Sequence, residues 1–144
     1  MNTKTFARLV ALPACCMIGA AIAADLPRSP APNDVELYII SPQDGATVAG
    51  PVTVRFGLRG MGVAPAGVAM VDTGHHHLLI DTDLPPFNLP IPADDKHVHF
   101  GKGQTEATVT LAPGRHRLQL LLADHLHIPH EPPVVSKPVT IVVK

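Results

Sequence analysis

Histidine is the residue type in this chain whose number and spacing could do chemistry. Nine occur in 144 residues, and most fall in three stretches. His75, His76 and His77 run straight into Leu78-Leu79-Ile80-Asp81, His97 and His99 flank Val98, and His125, His127 and His130 lie between Asp124 and Glu131. In an extended chain residues i and i+2 share a face, so each His-x-His pair presents two imidazoles on one side. Converging imidazole nitrogens suit Zn, Cu, Fe or Ni, and a set without thiolate points to Cu(II) or Zn(II).

The two cysteines, Cys15 and Cys16, sit in a segment expected to be removed. Lys4 and Arg8 precede an apolar run from Leu9 to Ala20, and Ala21-Ile22-Ala23 has the small-x-small form of a signal-peptidase site. Residues 1–23 therefore read as a secretory signal, too short in its apolar part to remain as a membrane span. Leu12-Pro13-Ala14-Cys15 loosely resembles a lipobox, but apolar sequence continues past Cys15, which favours the cleaved signal and a periplasmic or secreted protein. Cleavage leaves no cysteine, and with it no disulfide, thiolate ligand or thiol nucleophile.

About 120 residues then remain, enough for one compact domain. With Lys4 and Arg8 gone from the 11 basic residues, nine face 12 acidic ones, a formal charge of −3. With no basic tract and few aromatics, nucleic acid is not expected as a partner. Sugar binding is disfavoured because the remaining aromatics are Tyr38, Phe56, Phe87 and Phe100, with no tryptophan. Asp81, Asp83, Asp94 and Asp95 lack the dense spacing of a calcium loop. Ser41 and Ser136 have no nucleophile-elbow context.

The elements that must position the histidines are short strands. Residues 24–34, with Pro27, Pro30 and Pro32, read as an extended leader, and residues 35–144 as the domain. Strands are expected at Val35–Ile40, Pro51–Leu58, His75–Asp81, weakly at His97–Phe100, then at Thr105–Leu111, Arg115–Ala123 and Pro138–Val143. The segments Arg59–Thr73 and Leu84–Pro92, rich in glycine or proline, read as loops. Six or seven strands without an amphipathic helix imply an all-β fold, an immunoglobulin-like antiparallel β-sandwich.

In such a sandwich the His75 strand, C, lies antiparallel beside the Arg115 strand, F, taken as running on to His127. His76, Leu78 and Ile80 face the core, as do Leu118, Leu120 and Leu122, which leaves His75, His77 and Asp81 on the outer face. The start of C meets the end of F, so His75, His77, His125 and His127 converge as the expected ligands. His97 and His99 are further candidates on a strand whose sheet the pattern does not assign. His130 could close the site, with Asp124 or Glu131 as a carboxylate partner. His76 and His116 read as packing and ordinary strand residues.

Ser41-Pro42-Gln43-Asp44-Gly45-Ala46, Phe56-Gly57-Leu58, Gly60-Met61-Gly62-Val63-Ala64-Pro65, Thr73 to Asp81 and Asp124 to His130 together resemble a bacterial exported family known as domain of unknown function 4399. The resemblance covers nearly all of the expected mature chain. It implies the domain's extent and an envelope location, and it brings no activity. The functional expectation therefore rests on the histidines: a periplasmic copper- or zinc-binding protein for carriage, buffering or delivery. The alternatives are a metal-dependent enzyme with an open coordination position, and a metal-free module that docks on another envelope protein.

Overall fold

The computed structural model describes residues 26–144. The expected signal segment, with Cys15 and Cys16, lies outside the described residues. Nine strands follow in order: β1 (Glu36–Ser41), β2 (Thr47–Val48), β3 (Val52–Arg59), β4 (Gly62–Val63), β5 (Thr73–Ile80), β6 (His97–His99), β7 (Glu106–Val109), β8 (Gly114–Ala123) and β9 (Val139–Val143). Two of these, β2 and β4, are two-residue pieces beyond the six or seven strands expected. They form an all-β sandwich. One sheet has the order β1-β3-β7, the other β2-β9-β8-β5-β4, with β6 also on β5. Most pairs are antiparallel; β2 with β9 and β4 with β5 are parallel.

Alternation builds the core between the sheets. Val52, Val54 and Phe56 of β3 point inward against Leu78 and Ile80 of β5, Leu118, Leu120 and Leu122 of β8, and Ile141 of β9. Truncating any one of these leucines would cost about 2–5 kcal/mol through lost burial and the cavity left behind. The outward faces of β5 and β8 are also covered: Leu79, Leu121 and Ala123 pack with Ile91 and Phe87 of the proline-rich segment. That segment explains why every residue of β5 after Thr73 is buried. The outer face of these two strands is thus a second, small interior.

The leader is not a free approach to the fold. Ala31 N donates to Glu131 O at 2.9 Å, Arg28 Nε to Pro129 O at 2.9 Å and Ser29 Oγ to Asp124 Oδ2 at 2.7 Å. Arg28 also ion-pairs with Glu131. Residues 28–31 thereby brace the turn that follows β8.

Candidate metal centre

β5 and β8 run antiparallel with His75 opposite Ala123 and His77 opposite Leu121, so the start of C lies at the end of F. His75 and His77, two residues apart, point away from the main core, and both are 1% exposed. On the other edge of β5, β6 places His99 directly opposite His77. The strand that the sequence pattern left unassigned thus belongs to the same sheet and supplies a ligand candidate from the side.

The fourth imidazole comes from a turn. β8 ends at Ala123, and Asp124 folds the chain back: its Oδ1 accepts from Leu126 N at 2.9 Å and Ile128 N at 3.1 Å, and its carbonyl accepts from His127 N at 3.0 Å. His127 takes a left-handed φ of 65°, an uncommon backbone for a residue with a side chain. Its carbonyl accepts from Ile91 N at 2.8 Å, which fastens the proline-rich segment beside it.

One nitrogen from each of His75, His77, His99 and His127 lies within 4.8 Å of those of the other three. Ring centroids are 4.8 Å apart for His75–His77, 5.0 Å for His75–His99 and His75–His127, 5.1 Å for His77–His99 and 4.8 Å for His99–His127. The longest separation is His77–His127 at 6.1 Å. His75 Nε2 and His127 Nδ1 approach to 3.1 Å. Around an ion with bonds of about 2.0–2.1 Å, tetrahedral nitrogens stand about 3.4 Å apart. The His75–His127 pair, at 3.1 Å, lies close to that spacing.

Protonation is disfavoured at three of the four rings. Burial pushes His75 down to about 4, with His127 and His99 adding to the effect. Burial lowers His77 further, reinforced by His75, His99 and His127, and His99 is lowered by burial and by His127. Imidazolium ions at this spacing repel one another, so His75, His77 and His99 are held towards the neutral form, the one that ligates a metal. His75 Nδ1 and His77 Nδ1 are buried with no hydrogen-bond partner, and an unpaired buried polar atom costs about 1–3 kcal/mol. A cluster of this composition is costly to the fold, and a bound cation would offset that cost.

Not every expected ligand joins the cluster. His125 is displaced because β8 stops at Ala123 rather than continuing to His127. It lines a separate cavity of about 260 Å³ with Ser29, Met70, Thr73, Asp124 and His130. His97 pairs with Asp94 at 2.8 Å. His130 is buried with Nε2 at 3.1 Å from Thr73 O. Asp81 leaves the histidine face to bind His116 at 2.7 Å. Asp124 and Glu131 are occupied by the turn, Ser29 and Arg28. His76 lies on the core side, Nδ1 at 3.2 Å from Gln104 O and its ring 5.1 Å from Phe56.

Two supporting residues escape sequence reasoning. A Cβ on Gly101 would lie 2.3 Å from His99 Cε1, so the ring rests where only glycine leaves room. Gly74 is similarly pinned, with Ala123 O at 2.7 Å and His130 Cε1 at 2.8 Å from such a Cβ. Asp124 had a legible signal: aspartate followed by a short polar-apolar run and proline marks an Asx turn.

The family model described as Domain of unknown function (DUF4399) matches residues 54–144, a span that contains all four histidines. Neither the curated proteins nor the solved structures give a match.

Proposed function

The chain belongs to the DUF4399 family, and from that premise we propose that it is a metal-binding protein holding one Cu(II) or Zn(II) ion through His75, His77, His99 and His127. The observation that carries this is the convergence of four imidazoles from three separate stretches within 4.8 Å. Cu(II) is preferred, because the affinity order of nitrogen sites places it above Zn(II). Carriage, buffering or delivery suits the layering of the site. His75 and His77 are fully buried, His127 is half-buried and His99 is exposed, so an ion can be gained or released past the outer pair. A catalytic role finds less support, since both oxygens of the nearby Asp124 are engaged by backbone and side-chain donors.

The expected signal segment supports a periplasmic or secreted location as part of the same reading. Among the described residues no helix is long and apolar enough to cross a membrane. Competition titration of apo protein with Cu(II) and Zn(II) tests the assignment. One equivalent of copper bound tightly, with zinc displaced by it, is expected; no saturable binding of either ion would overturn it.

A further inference from the structure

The four histidines do not form a closed cage. A cavity of about 280 Å³ opens onto His77, His99 and His127, with Pro90, Ile91 and Ala93 as its remaining walls. It is larger than one water requires, and no acidic side chain is among its lining residues.

A divalent ion held by four neutral imidazoles would keep its whole charge of about +2, and an apolar wall on one side would leave that charge poorly solvated. Asp124 acts on the site only through space, its charge reaching His75, because both its oxygens are committed to Leu126, Ile128 and Ser29 and neither is free to coordinate. Asp94 lies outside the cavity's lining and is held through its Oδ1 by Lys96 N and by His97. We infer that this cavity is a binding site for a small anion that coordinates the metal from the side of Pro90, Ile91 and Ala93. The ligand class is a compact monoanion that binds the metal through one atom, of which azide and formate are probes. The inference rests on the metal reading above and adds an exogenous ligand to the protein's four.

The test uses the copper-loaded chain and sodium azide. Copper stoichiometry is measured first, by mass spectrometry, and the azide titration then follows the optical and electron paramagnetic resonance spectra of Cu(II). Saturable formation of a new charge-transfer band is expected. Ala93 is exposed at the cavity wall, so Ala93→Trp should fill the cavity without disturbing the core. It should retain one copper while raising the half-saturating azide concentration at least tenfold. Ala93→Glu should do the same by placing a carboxylate beside the ion, and should shift the copper spectrum before azide is added. One equivalent of copper with spectra unmoved by azide overturns the anion site alone, as does equal azide affinity in wild type and both variants. A chain that takes up no copper overturns the metal reading and the anion site with it.

Discussion

His99 stands directly across from His77 in the β5–β6 ladder, with ring centroids 5.1 Å apart, the buried ring in register with the exposed one. That register joins an interior imidazole to a surface imidazole through one pair of strands. It makes the two ends of the site separable by mutation.

His77→Ala should therefore lower copper affinity by at least about a hundredfold, and His99→Ala by about tenfold, since outer ligands are replaced by water more readily than buried ones. Isothermal titration of both variants checks the order, and equal losses would show that burial does not grade the ligands.

His125→Ala and His97→Ala should leave copper affinity within twofold of wild type, because both side chains stand outside the cluster. A large loss in His125→Ala would place the ligand set nearer the one expected from strand alternation alone.

Gly101→Ala should push the His99 ring off its seat, since the added Cβ would meet Cε1 at 2.3 Å. The expected result is a tenfold weaker copper site with the unfolding midpoint of the apo protein nearly unchanged.

Asp124→Ala removes the acceptor of two backbone N–H groups and of Ser29 Oγ. Losing these bonds should destabilise the apo protein by about 2–4 kcal/mol and release His127 from its position. Denaturant unfolding and copper titration of the same sample report the two effects.

The apo protein should lose stability on acidification. His75 and His76 are lowered to about 4, chiefly by burial, and His77 is lowered as well. The unfolded chain therefore binds more protons below the ordinary histidine value of about 6.5. The stabilisation is complete above that value and is lost as pH falls towards the folded values, by at least about 2 kcal/mol at pH 5. Urea unfolding at pH 7, 6 and 5 measures it. His76→Phe, which removes one of these groups, should flatten the slope.

Much of this was legible in the sequence because strand alternation is strict. Leu78 and Ile80 with Leu118, Leu120 and Leu122 define one face, and the antiparallel pairing of their strands then puts His75 and His77 at the end of β8. What alternation could not supply was the end of β8 itself. Reading the strand on to His127 put His125 among the ligands, whereas the Asp124 turn reverses the chain and brings in His127 with a left-handed backbone. His99 was visible only as a candidate, since three residues carry too little pattern to choose a sheet. The covering of the histidine face depends on Ile91 and Phe87, from a proline-rich segment with no period to read.

Whether the four histidines hold an ion is tested most directly by the metal content of untagged protein isolated from the envelope fraction, wild type beside the His77→Ala/His127→Ala double variant, by inductively coupled plasma mass spectrometry. Close to one copper or zinc per wild-type chain and essentially none in the double variant is expected. Equal metal in the two proteins, or none in either, would contradict it.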